Sequence, residues 1–204
     1  LVSARDQGEA HGFNKGLLMA RGELLKPLSD DDAYYHPGIR ACKEFMLANP
    51  DLDVLGAGIA IATMEKPADI TPIGCFLGDY LRWCCERRGP FFFNGLCLML
   101  RRSALPLLGL FDTTTFIPDL EFSLRVTRVA NVGWYTGVVA VRLENPQSNL
   151  RAKWGDVEAE RARLERYHGW ARPSPPRRSR LYRAARWAWR AYGRLRRAGG
   201  APGT

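Results

Sequence analysis

Three features of the sequence predict an α/β fold. Apolar stretches rich in Val, Ile and Ala, at residues 54–63 and 135–143, read as buried strands. Other segments carry apolar residues at spacings of three and four, the pattern of helices with one buried face. The two kinds alternate over about 150 residues, as helices laid on a sheet do.

Taken in order, Glu9 to Ala20 is expected to form a short helix stopped by Gly22. Leu24 to Leu28 reads as a buried strand, and Ser29-Asp30-Asp31-Asp32 follows at its carboxyl end, where open α/β sheets place their ligands. Pro37-Gly38 opens a helix with apolar members Ile39, Cys42, Phe45 and Met46, and Asn49-Pro50-Asp51 closes it. Val54 to Thr63 reads as a central strand, and Met64 to Pro72, which holds two prolines, as a loop. Phe76 to Glu86 is expected to be helical, exposing Asp79, Arg82 and Glu86 and burying Leu77, Leu81 and Cys84 or Cys85. Phe91 to Leu100 reads as another buried strand and Arg102 to Leu108 as a short helix. Pro118 suits the first turn of a helix running to Ala130. That helix has two apolar stripes, Phe122, Val126 and Val129 on one and Leu120 with Leu124 on the other, so packing on more than one side is expected. Tyr135 to Leu143 is a further strand and Asp156 to Tyr167 a helix of alternating charge. Strand order does not follow from these periodicities.

A chain of 204 residues with 46% hydrophobic content can build one domain with a real core, which excludes a disulfide-stapled peptide and a fully disordered chain. The formal net charge of +9 is uneven: residues 171–204 hold ten Arg and no acid, leaving 20 basic and 21 acidic residues in 1–170. The five cysteines, Cys42, Cys75, Cys84, Cys85 and Cys97, lie in apolar runs without CxxC spacing and read as reduced core thiols of a cytosol-facing protein. No run of eighteen uncharged apolar residues is present. The sequence opens at Leu1 in mid-pattern, which reads as the start of a fragment.

Three signals carry chemistry. The carboxylates Asp30, Asp31 and Asp32 repel one another, and a divalent cation such as Mg²⁺ or Mn²⁺ bridged to a phosphate relieves that repulsion. The other reading of the same residues is an acidic turn in which Ser29 or an Asp caps the helix near Pro37. At the front of a later helix, Glu121 sits one turn before Arg125 and can pair with it, which leaves Asp119 without a cation. Held in a cleft, Asp119 is a candidate general base toward a hydroxyl; held outside one, it is an N-terminal helix charge. Lys15, in Phe13-Asn14-Lys15-Gly16, offers positive charge for a diphosphate, a weak signal by itself.

In their order and spacing these pieces resemble glycosyltransferase family 2, the inverting transferases with the GT-A nucleotide-diphospho-sugar-binding fold. The resemblance runs from about residue 5 to about residue 150. It rests on Asp6-Gln7-Gly8, Phe13-Asn14-Lys15-Gly16, Ala20-Arg21-Gly22-Glu23, Leu28-Ser29-Asp30-Asp31-Asp32, Tyr34 with Pro37-Gly38, Asn94-Gly95, and Asp119-Leu120-Glu121 with Arg125. It implies a mixed central sheet flanked by helices and a metal-dependent transfer from a nucleotide-sugar donor to a saccharide or lipid-linked acceptor. It also implies site roles. The DxD-type motif falls on Asp30 to Asp32, with Asp30 near the ribose or metal, Asp32 the best metal ligand, and Asn14, Lys15, Asp30 and Asp31 on the donor side. The base motif, usually Glu-Asp, falls on Pro118-Asp119, so Asp119 alone serves as base. Asn94 and Gly95 border the acceptor sugar; Glu121 and Arg125 are grouped with them, ordering the helix or facing the donor diphosphate. Family members begin with a strand, helix and strand ahead of the point where this sequence starts, so residues 1–150 are expected to be an incomplete catalytic domain, followed by a charged helix at 151–170.

Residues 171–204 read as a Pro-containing linker and a basic tail. On a helical projection Leu181, Ala185, Ala188, Tyr192 and Leu195 share one face, with Arg183, Arg186, Arg190, Arg194 and Arg197 opposite and Trp187 and Trp189 on the flanks. That pattern favours an anionic membrane surface for residues 179–197, ahead of a solvated tail and of nucleic acid, and places the protein in the cytoplasm at the membrane's inner face. The competing function is a catalytically silent α/β scaffold docked by this tail.

Overall fold

A computed structural model of the chain describes residues 5–73, 75–85, 89–144 and 154–170. Its centre is β3 (Val54–Thr63), a run of small and β-branched residues buried along nearly all its length. β3 pairs in parallel with β6 (Val132–Glu144) and antiparallel with β5 (Met99–Arg101) and β4 (Lys66–Ile73). β1 (Leu24–Leu25) pairs with β5, and β2 (Ala33–Tyr34) with β6, so the sheet is mixed, in the order β1-β5-β3-β6-β2 with β4 on β3. The β3–β6 register jumps beside Gly58, from Ala57 opposite Tyr135 to Gly58 opposite Val138. Gly58 permits the close approach: a Cβ there would stand 2.9 Å from the Gly137 carbonyl oxygen.

The helices among the described residues are α1 (Glu9–Met19), α2 (His36–Ala48), α3 (Cys75–Cys85), α4 (Leu105–Leu108), α5 (Pro118–Val126) and α6 (Trp154–Tyr167). Pro37 lies in the first turn of α2, whose missing N–H is no loss there, and Cys42 and Met46 point to the core one turn apart. Helix α5 is buried on two sides, as its two stripes predict. Phe122 and Val126 belong to the main core, while Leu120 and Leu124 meet Val157 and Leu164 of α6 in a second cluster. Phe122, fully buried with its ring centroid 4.5 Å from that of Phe111, anchors α5; its truncation to Ala costs about 3–5 kcal/mol.

Arg101 ties the β5 edge together. Its Nη1 donates to Glu23 at 2.7 Å, its Nη2 to the Met46 and Asn49 carbonyls at 2.6 and 3.3 Å, and its Nε to the Leu52 carbonyl at 2.9 Å. The guanidinium thereby adds a second donor to carbonyls at the C-terminus of α2, where Met46 accepts from the Asn49 N–H and Asn49 from the Leu52 N–H.

Several sequence expectations are corrected. Residues 66–73 form strand β4, because β3 offers them a free ladder edge; Pro72 sits opposite Ala60 within it. The expected strand at 91–100 is broken by a 3₁₀ turn at Gly95–Cys97, capped by Asn94, whose side chain accepts from the Leu96 N–H at 2.8 Å. The strand expected over 24–28 pairs only at Leu24–Leu25. Among the described side chains of α3, Trp83 is buried and Leu81, Cys84 and Cys85 are exposed, because Trp83 packs on Tyr80 and Phe91 and donates from its indole to the Thr127 carbonyl at 3.1 Å; the side chains of Leu77 and Glu86 lie outside the described residues. Helix α5 ends at Val126 instead of Ala130, and Val129 is exposed. No described helix is long and apolar enough to cross a membrane. The tail predictions, residues 171–204, lie outside the described residues.

Candidate active site

Strand directions bring the candidate groups to one edge of the sheet. β1 and β3 both run antiparallel to β5, and β6 runs with β3, so the carboxyl ends of β1, β3 and β6 share that edge. The acidic loop leaves β1 there and is folded onto β6. Asp32 Oδ1 accepts from the Leu143 N–H at 3.0 Å, and Oδ2 accepts from the Ser29 hydroxyl at 2.6 Å. The Tyr34 hydroxyl accepts from the Ser29 N–H at 2.7 Å, closing the loop on itself. Asp32 is thus the tethered member of the triplet, and Asp30 and Asp31 are exposed. The alternative capping role does not hold: the N-cap of α2 is Tyr35, with no side-chain cap.

Asp119 lies in the first turn of α5, where the unpaired N–H groups favour an anion. Its Oδ1 accepts from the Leu120 N–H at 2.8 Å and its Oδ2 from the Gly95 N–H at a long 3.4 Å. The turn bearing Asn94 and Gly95 is therefore held directly against Asp119. Desolvation raises the Asp119 carboxyl above the usual aspartate range, and the Gly95 and Leu120 N–H groups and the charge of Arg161 oppose that rise without cancelling it. Arg161, on α6, has a buried Nε without a hydrogen-bond partner among the described residues, 3.4 Å from the Glu158 carboxylate.

Glu9 lies in the first turn of α1. Its carboxyl is pushed up to about 7, first by desolvation and then by the charges of Asp119, Asp31, Asp32 and Asp30. Desolvation of the carboxyl is the largest cause, although Glu9 is exposed as a residue, and the four carboxylates add to it in the same direction. The acidic loop and Asp119 both add to that rise. Sequence reasoning missed Glu9 because a single first-turn Glu is ordinary on a helix.

Other predicted residues are held differently. Asn14 is buried, with its Nδ2 donating to the Phe111 carbonyl at 2.8 Å and its Oδ1 accepting from the Phe111 N–H at 2.9 Å. This bidentate clamp of α1 onto the 111 loop uses both ends of the amide, which corrects the expectation of a ligand-facing Asn14. Lys15 donates to the Arg5 carbonyl. Glu121 and Arg125 form the expected pair, 2.7 Å apart, and Arg125 also donates to the Leu108 and Leu110 carbonyls. This cluster fastens α5 to the α4 end, an ordering role. Among the described residues, no group of three or more His, Cys, Asp and Glu side chains is gathered so as to hold a metal ion alone.

No family model and no curated protein matches this chain. Among solved structures it is similar to a mannosyltransferase, PcManGT from Pyrobaculum calidifontis, in complex with GDP-Man and Mn²⁺, at 18% identity and a TM-score of 0.51. The chain has a glycosyltransferase-like fold. The match covers 98% of this chain and 56% of the mannosyltransferase, so the chain spans little more than half that protein's length.

Proposed function

We propose that the chain is the metal-dependent catalytic part of an inverting glycosyltransferase of the family 2 type, which moves a sugar from a nucleotide-diphospho-sugar to a hydroxyl of a saccharide or lipid-linked acceptor. The observations that carry the reading are the acidic loop fixed through Asp32 at the carboxyl edge of the sheet and the Asn94–Gly95 turn held against Asp119. A neighbouring fold that binds GDP-Man and Mn²⁺ supports it.

In this reading Asp119 takes the proton from the acceptor hydroxyl. The freed oxygen attacks the anomeric carbon as the bond from that carbon to the diphosphate oxygen breaks, which inverts the centre. Each Asp119 oxygen accepts one backbone N–H and keeps a lone pair for the hydroxyl. A raised carboxyl is a stronger base than an ordinary aspartate, and general-base help of this kind contributes about a hundredfold to ten-thousandfold. Asp30 and Asp31 are exposed and accept no hydrogen bond from the described residues, while Asp32 is fixed; that set fits a hard cation shared between one or two carboxylates and substrate phosphates. Asp30 and Asp32 would hold Mg²⁺ or Mn²⁺, which when bound would supply charge neutralisation for a leaving diphosphate. Asn94 and Gly95 border the acceptor, Lys15 offers positive charge to the donor diphosphate, and residues 179–197 dock on an anionic membrane.

A screen of nucleotide sugars with Mn²⁺ or Mg²⁺ tests the reading. Transfer abolished by a chelator supports it, and transfer indifferent to the chelator removes the metal. Failure of every donor to bind favours the silent scaffold. Anionic vesicles test the tail separately: no binding at low salt ends that part.

A further inference from the structure

Lys26 interrupts the apolar run 24–28, one residue past β1, and the reading of the site assigns it nothing. Its stem runs through an apolar lining of Ile39, Cys42, Cys97, Met99 and Val139. Its ammonium donates to the Pro27 carbonyl at 3.1 Å and to the Leu96 carbonyl at 2.5 Å, and lies 5.4 Å from the centre of the Tyr34 ring. No carboxylate pairs with it among the described residues. Cys42 and Cys97, both pushed up to about 11 mainly by burial, stay protonated at neutral pH and give it no counter-charge. A half-buried lysine held by two carbonyls and a ring face is costly to keep, so its placement calls for a reason beyond stability.

Two of its partners, Tyr34 and Leu96, lead to different halves of the site. Tyr34 holds Ser29 by its N–H, and Ser29 holds Asp32 by its hydroxyl, so one side of Lys26 abuts the acidic loop. Leu96 follows Gly95, whose N–H donates to Asp119, so the other side abuts the turn that holds Asp119. We propose that Lys26 is a positioning residue that sets the separation between the acidic loop and Asp119 by bridging the Tyr34–Ser29–Asp32 chain to the Asn94–Leu96 turn. The proposal rests on the glycosyltransferase reading for its consequence in catalysis, and on the contacts alone for the bridge itself. Burial lowers the lysine to about 8, so it is mainly charged at neutral pH, the form that donates to both carbonyls while facing the ring.

The test compares the protein with K26M, K26Q and K26R by two readouts. Amide resonances of Ser29 and Gly95 report the two halves without any substrate. Both are expected to move in K26M and to return toward their original positions in K26R, which keeps the charge and the donors. A Gly95 resonance unmoved in K26M, or equally displaced in K26R and K26M, overturns the bridge. Should K26M fail to fold, K26Q, which keeps a neutral donor, decides the same point. With a nucleotide sugar and Mn²⁺, kcat of K26M is expected to fall on the order of tenfold to a hundredfold, with the donor KM little changed and K26R recovering part of the loss. Unchanged kcat in a folded K26M overturns the catalytic consequence. Absence of transfer by the unaltered protein counts against the enzymatic reading and leaves the amide result to decide the bridge.

Discussion

Asp119 and Glu121 stand two residues apart in the first turn of one helix, and their surroundings are opposites. Glu121 is buried with Arg125 at 2.7 Å, and Arg125 carries the pair onward to two loop carbonyls. Asp119 has two backbone N–H groups, no paired cation among the described residues and a raised carboxyl. One carboxylate is placed where the fold gains from it, the other where the fold loses. In the proposed function that local conflict is what leaves Asp119 available as a base.

The largest effect expected from breaking this contrast is at Asp119. D119N is expected to lower sugar transfer by about a hundredfold or more. The same change is expected to raise the melting temperature at neutral pH. A carboxyl whose folded value is raised stabilises the fold fully below its unfolded value and withdraws that support as pH climbs through the folded one, since the folded state keeps its proton longer. D119N removes that withdrawal, so its advantage should vanish near pH 3. Near-normal turnover in D119N would remove the base assignment.

R125M is the opposite case. Stranding Glu121 and two carbonyls is expected to destabilise the chain by about 2–3 kcal/mol in denaturant unfolding, discounted because Arg125 is about one-third exposed. N14A, which strands both polar atoms of the Phe111 backbone, is expected to cost about 2 kcal/mol. Melting unchanged in either variant contradicts the ordering roles. The smallest effect is at Glu9. E9Q is expected to be slightly stabilising at pH 8 and neutral at pH 4, because the folded carboxyl, raised to about 7, withdraws its support between the unfolded value of 4.5 and that point. A pH-independent difference would show that Glu9 is not crowded by its neighbours.

The contrast also shows what was legible in the sequence. Periodicity located α2, α5 and the helix at 154–167, and the two stripes of α5 foretold its double burial, because helix faces are encoded locally. The Glu121–Arg125 pair was legible for the same reason, at a spacing of four. Strand β4 was not, since an exposed strand with two prolines is made by the free edge of β3 and not by its own residues. Asn14 was misread because its partner, Phe111, is 97 residues away. Glu9 was invisible for the same reason, its neighbours at 30–32 and 119 being joined to it only by the fold. Lys26 did leave a trace, a charge inside an apolar run.

The central claim is that the acidic loop and Asp119 act on one cleft. The direct measurement is the titration of the Glu9 carboxyl by NMR in the unaltered chain, in D119N and in D31N. The account predicts a midpoint near 7 that falls in both variants, with the larger fall in D119N. A midpoint at the ordinary glutamate value, or one that responds to the loop and not to Asp119, would place the two groups in separate environments and contradict the account.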